Sequence, residues 1–132
     1  KIPEPQKYDR IFILEKKFKQ FEYISVDVKK NDKQFIIYGL TGMIDYNDIN
    51  KCFNQQNEIN NDLKNLFIQK GKKSIVPSAY DETGESKQHY ITYDFDDGYI
   101  MLVCYDMAIH TNIQGGLDLS IRLKEFQDWL NG

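Results

Sequence analysis

Residues His89 to Tyr105, HYITYDFDDGYIMLVCY, constrain this chain more than any other stretch. Aromatic and β-branched residues fill both arms, and Asp97-Gly98 between them is a hairpin turn signal. The segment reads as a β-hairpin. A lone hairpin is marginal in water, so this one needs further strands or a helix to cover it. Its turn is ringed by Asp94, Asp96, Asp97 and Asp106, and nothing within it pairs a nucleophile with a base. A negatively charged, tyrosine-bearing rim predicts a surface that grips a partner rather than a pocket that transforms a substrate.

The flanking sequence supplies the covering elements. Asp9 could cap a helix to Lys19, with Ile11, Leu14, Phe18 and Phe21 at helical spacing, although Arg10 to Leu14 could equally begin a strand. Ile24, Val26 and Val28 alternate with polar residues as a half-buried strand does. Lys29 to Lys33 is a turn and Phe35 to Ile44 the return strand, where Gly39 and Gly42 suggest a bulge or a close backbone approach. Asp45 or Asn47 then caps a long helix to about Ile68. Its apolar stripe is Ile49, Cys52, Phe53, Ile59, Leu63, Leu66 and Phe67. Seven asparagines between Asn47 and Asn65 are poor helix formers, so this helix depends on packing. Lys70-Gly71 ends it.

Ser74 to Pro77 fits a short edge strand, and Asp81 to Lys87, with Gly84, a mobile loop. After the hairpin, residues 107 to 116 form a loop ending in Gly115-Gly116. Leu117 to Leu123 alternates like a strand, and Leu123, Phe126, Trp129 and Leu130 share one face of a terminal helix. The expected fold is a single α+β domain over residues 1–132. It has an antiparallel sheet of about four to five strands, the long helix on one face and a short C-terminal helix.

Composition narrows the function. A chain of 132 residues buries about two thirds of its unfolded surface, and nine Tyr, eight Phe and one Trp supply the core. The net charge of −3 argues against nucleic-acid binding, which needs a concentrated basic face, and permits a cationic protein partner. No run of about 18 apolar residues offers a membrane span. The sequence begins at Lys1 without Met, and Ile2-Pro3-Glu4-Pro5 reads as an extended lead-in, as after removal of an export signal or tag. Cys52 and Cys104 are the two cysteines. They fit a disulfide in an oxidising compartment or two buried thiols in a reducing one.

Catalytic and metal-binding chemistry is thinly represented. His89, His110 and the cysteines form no zinc-type pair. Asp94-Phe95-Asp96-Asp97-Gly98 resembles a calcium loop but lacks its glycine position and closing glutamate, so it reads as a solvated acidic turn. No serine sits in a nucleophile elbow. The carboxylates Asp81, Glu82 and Glu85 against Asp94, Asp96 and Asp97 lie in polar turns, where a general acid would not be desolvated. The chain is therefore expected to be no enzyme and to use no cofactor. Tyr90, Tyr93, Tyr99 and Tyr105 on the hairpin suit an interface, or simply a strand.

The stretch Ser74 to Asp106 carries Val76-Pro77, a polar loop with Gly84, an aromatic strand, and then Asp96-Asp97-Gly98-Tyr99. In this it resembles the immunity proteins against periplasm-acting bacteriocins of the pesticin and colicin M type. The resemblance implies a small exported α+β protein, held in the periplasm, that binds and blocks one cognate toxin with a basic surface. A pesticin-like muramidase is the first such toxin, and an enzyme attacking lipid-linked peptidoglycan precursor the second. The expected contact residues are Asp94, Asp96, Asp97 and Tyr99, with Asp81, Glu82 and Glu85 on a neighbouring loop. Two alternatives stand beside this: a cytoplasmic immunity protein against a contact-dependent or type VI toxin, and an inhibitor of exogenous lysozymes. Exposed strand edges leave a homodimer open.

Overall fold

A computed structural model describes residues 6–13, 20–67 and 69–132 of the chain. Its elements run β1 (Tyr8–Ile13), β2 (Tyr23–Lys29), β3 (Ile37–Asp45), α1 (Ile49–Phe67), β4 (Lys72–Pro77), β5 (Lys87–Phe95), β6 (Gly98–Asp106), a 3-10 turn at Ile109–Thr111, β7 (Gly116–Leu123) and α2 (Lys124–Leu130). The seven strands form one antiparallel sheet in the order β1-β2-β3-β7-β6-β5-β4.

The class is α+β, but the sheet has seven strands where four to five were expected. Tyr8–Ile13 is a strand rather than the start of a helix. Ile11 and Ile13 pair with Val26 and Ile24, so period two wins over the helical spacing that Ile11 and Leu14 also satisfy. The continuation of that segment through 14–19 lies outside the described residues, as do the lead-in at 2–5 and the helix end expected at Ile68. The larger difference is β7. It lies between β3 and β6 and welds two three-stranded units, β1-β2-β3 and β4-β5-β6, into one sheet. Gly116 makes this possible at the seam, because a Cβ there would lie 2.4 Å from the Ile44 carbonyl oxygen.

One face of the sheet carries α1. Its cap is Asp48, neither Asp45 nor Asn47: the Asn50 amide donates to Asp48 Oδ1 at 2.9 Å, and the Lys51 and Cys52 amides reach the Asp48 carbonyl. Cys52 and Ile59 pack on Ile91, Tyr93, Ile100, Leu102, Cys104 and Leu117, with Phe53, Leu63 and Phe67 around them. Burial of each such side chain contributes roughly 1.5–3 kcal/mol, which offsets the poor propensity of the asparagines. Leu66 departs from the expected stripe and is 71% exposed. Gln56, polar and therefore passed over, is buried. Its amide donates to the His89 and Leu102 carbonyls at 2.9 and 3.2 Å. Cys52 and Cys104 form a disulfide that ties α1 to β6, with their Cα atoms 6.0 Å apart.

The opposite face carries α2, which continues directly from β7. Phe126 stacks edge-on to Tyr8 (centroids 4.8 Å), and Trp129 lies 4.9 Å from the same ring. The register shifts between Asp27 and Val28, opposite Gly39–Ile37, which is the bulge that Gly39 foreshadowed. A Cβ at Gly39 would lie 3.0 Å from Phe126, so the glycine lets α2 seat closely.

Candidate protein-recognition surface

The Ser78–Ser86 loop between β4 and β5 is built around a buried carboxylate. Asp81 Oδ1 accepts the Thr83 amide at 3.0 Å and the Thr83 hydroxyl at 2.6 Å. Its Oδ2 accepts the Ser86 amide at 2.9 Å and the Ser86 hydroxyl at 2.7 Å. Hydrogen bonds from the Thr83 and Ser86 side chains hold the Asp81 carboxyl well below the usual carboxylate range, against the opposing effect of burial. Gly84 takes a φ of +77° to close the loop, and the Ser78 amide bonds the Ser86 carbonyl at its base. Polarity that suggested a mobile loop is turned inward to satisfy itself.

The same cluster seizes the β6–β7 loop. The Ala108 amide donates to Ser86 Oγ at 2.8 Å. His110 places Nε2 3.3 Å from Asp81 Oδ1 and Nδ1 3.3 Å from Glu85 Oε2. From the other side, Gln114 Nε2 donates to the Tyr46 carbonyl at 2.9 Å and to Asn47 Oδ1 at 3.0 Å. Asn112, at φ 56°, turns the chain between these anchors.

Two anchored loops therefore form a platform, and its outward side chains are apolar. Ile109 is 96% exposed, Tyr80 74% and Ile113 43%. Tyr105, Met107 and Ile113 line both of two adjoining hollows. One, of about 310 Å³, is closed by Tyr46 and Ile109. The other, of about 260 Å³, is closed by Tyr23 and Tyr80. Glu82 and Glu85 are exposed beside them, with Asp106 half-buried at the end of β6. Exposed tyrosine and isoleucine on hydrogen-bonded loops, next to hollows and beside acidic side chains, make this surface the candidate for recognition. Sequence reasoning missed Tyr80, Ile109 and Ile113. The available signal was their type and place: large apolar residues with no period, in loops.

The expected contact residues do not form one site. Asp96 and Asp97 are the two exposed turn residues between Phe95 and Gly98, with Asp94 and Tyr99 paired behind them. Glu82 and Glu85 lie at the opposite end of β5, whose nine residues span roughly 27–30 Å. Asp106 belongs to that far end too, opposite Lys87, and does not ring the tip. Asp81 is buried beneath the loop, where Thr83, Ser86 and His110 surround its carboxylate. The tip itself is pinned where the Lys124 amide donates to the Asp97 carbonyl at 2.8 Å.

A second polar cluster lies on the sheet face that carries α2. Arg10 pairs with the buried Asp27 at 2.8 and 3.3 Å. Thr41 and Ser120 share a hydrogen bond of 3.0 Å. The Tyr105 hydroxyl donates to Asp118 Oδ2 at 3.1 Å. Burial pushes the Asp118 carboxyl and the Tyr105 hydroxyl up and the Arg122 guanidinium down. Arg10 with Asp27, Thr41 with Ser120 and Tyr105 with Asp118 form satisfied pairs, whereas Arg122 Nε and Ser25 Oγ are buried without a hydrogen-bond partner. Among the described residues, no three His, Cys, Asp or Glu side chains are grouped to hold a metal ion. No helix of the described residues is long and apolar enough to cross a membrane. Comparison with protein-family models, curated proteins and solved structures finds no match to this chain.

Proposed function

We propose that this protein acts by binding and blocking another protein, through the platform of Tyr80, Ile109 and Ile113. The observation that carries this reading is the pairing of near-complete exposure with rigid support. Ile109 stands almost fully in solvent on loops fixed by Asp81, Ser86 and Gln114. A loop backbone already held in place loses little further entropy on binding, which suits an inhibitor that fills or covers a cleft. Glu82, Glu85 and Asp106 beside them speed encounter with a basic partner.

The resemblance of Ser74–Asp106 to bacteriocin immunity proteins supplies the partner class: a toxin that degrades the cell wall from the periplasm, a pesticin-like muramidase first. The Cys52–Cys104 disulfide is compatible with an oxidising compartment and so favours an exported inhibitor over a cytoplasmic one. The test is to export the chain in sensitive cells and challenge them with the wall-degrading toxin encoded beside its gene. Protection, with a one-to-one complex that Ile109→Asp disrupts, supports the reading. Absence of such a toxin gene, or protection that Ile109→Asp leaves intact, overturns it.

A further inference from the structure

The β4 edge is a second surface, on the flank away from the β1 edge. All six of its residues are exposed, and among the described residues no strand pairs with its outer side. The direction of its backbone groups follows from the hairpin. Phe95 and Gly98 flank a two-residue turn, so they exchange both hydrogen bonds. Alternation then points the amides of Gln88, Tyr90 and Thr92 toward β4, and those of their partners Val76, Ser74 and Lys72 back toward β5. The bond from Thr92 Oγ1 to the Lys72 carbonyl (3.4 Å) agrees. Lys73 and Ile75 are left with N–H and C=O facing out, and Pro77 with its carbonyl alone.

The side chains of Lys73 and Ile75 share the α1 side of the sheet, opposite Ile91 and His89. There they border a trough of about 340 Å³ whose other wall is Phe53, Gln56 and Asn57 of α1. An unpaired backbone edge beside a side-chain trough is the geometry that accepts an added strand. The edge is also cationic. Lys70, Lys72 and Lys73 cluster at its start and Lys64 lies in the last turn of α1, while at the far end Lys87 donates to the Gly84 carbonyl and faces Asp106. Glu58, and Asp62 one turn on, occupy the other flank of α1, toward Tyr46. Asp94, two residues past Thr92, lies level with Lys70, so the positive surplus along the strand itself rests on Lys72 and Lys73. In a chain of net charge −3, this is a local excess of positive charge.

We propose that the β4 edge binds an extended acidic segment of a partner polypeptide as an eighth strand, with one of its apolar side chains in the trough between Phe53 and Ile75. A second copy of this chain is a poorer occupant, since it would bring another Lys70, Lys72 and Lys73 to the same seam. The proposal is independent of the platform.

The test uses the intact chain and a fluorescent decapeptide of alternating Glu and Val, with a Lys–Val peptide as control. The acidic peptide is expected to bind, more weakly as salt rises, while the control does not. Ile75→Pro removes one outward N–H and leaves the β4–β5 ladder whole. It should weaken binding about tenfold, as loss of one hydrogen bond does. Hydrogen exchange at Lys73 and Ile75 should slow when peptide is added. Equal binding of both peptides, affinity unchanged in Ile75→Pro, or a dimer that Ile75→Pro dissociates would each overturn the proposal. Ile109→Asp should leave peptide binding unchanged; if it abolishes binding, the peptide sits on the platform and the β4 assignment fails.

Discussion

Ser86 Oγ lies 2.7 Å from Asp81 Oδ2 and at the same time accepts the Ala108 amide at 2.8 Å. One hydroxyl thus joins a loop that folds on itself to a loop some twenty residues later in the chain. The exposed apolar side chains sit on the outside of that joint. The loops that carry them are held by the carboxylate beneath.

Asp81→Asn should loosen both loops. The amide keeps one oxygen for either the Thr83 or the Ser86 donor pair, and its NH2 would face the other pair. The variant should lower the melting temperature, whereas Glu82→Gln, in solvent, should not. The pH dependence has a fixed sign. The folded Asp81 carboxyl titrates below its unfolded value of about 3.9, so its stabilisation is complete above that value and drains away as pH falls through the folded one. Wild-type stability should fall below about pH 4, and Asp81→Asn should flatten that limb. Urea denaturation across pH 2 to 7 measures both curves; parallel curves would show that Asp81 does not carry the effect.

The disulfide makes a separate claim on stability. It spans 52 residues of sequence, and closing a loop of that size restricts the unfolded chain by ~4 kcal/mol in the chain-entropy model. The double variant Cys52→Ala, Cys104→Ala should show a urea midpoint lowered accordingly, with the same sheet and helix content by circular dichroism. A loss of less than about 1 kcal/mol would mean that the unfolded chain without the crosslink is already restricted by residual structure.

Most elements were legible because each advertises a period. Ile24, Val26 and Val28 alternate, Cys52, Ile59 and Leu63 recur at helical spacing, and the hairpin has its turn. What could not be read was adjacency. Alternation in Leu117–Leu123 announces a strand but not that β3 and β6 are its neighbours, since that pairing joins residues as far apart as Gly39 and Arg122. The site failed for a related reason. Asp81, Thr83 and Ser86 have the composition of a solvated loop, and composition does not tell polarity turned inward from polarity given to water. The acidic turn at Asp96-Asp97 was correctly located at a hairpin tip, yet the strand that carries it puts it at the far end from Glu82 and Glu85.

Asp118 should be a liability at neutral pH. Its folded carboxyl is raised by burial, which outweighs the Tyr105 hydrogen bond and the attraction of Arg10 and Arg122. A raised carboxyl contributes against folding as pH climbs through its unfolded value of about 3.9 toward the folded one. Asp118→Asn keeps an oxygen for the Tyr105 hydroxyl and removes the charge. It should raise the urea midpoint at pH 7, and the advantage should vanish below about pH 4. An Asn variant that is less stable at pH 7 would mean that the arginines repay the desolvation of the carboxylate in full.

The two ends of β5 separate the alternatives for partner binding. Tyr80 and Ile109 are exposed, so Tyr80→Ala and Ile109→Ala should leave the melting temperature within the small range of surface substitutions. If they anchor a partner, each should cost more than about 1 kcal/mol of binding, at least fivefold in Kd, expressed chiefly in the dissociation rate. Asp96→Lys with Asp97→Lys alters charge at the opposite end, roughly 27–30 Å away along β5. That pair should change the association rate modestly through the overall field and leave dissociation alone. Surface plasmon resonance with the proposed toxin partner resolves both rates. The platform is excluded as the contact if the lysine pair speeds dissociation while the two alanine variants dissociate as wild type does, because a side chain that is 96% exposed in the free protein and energetically silent in the complex is not buried by it.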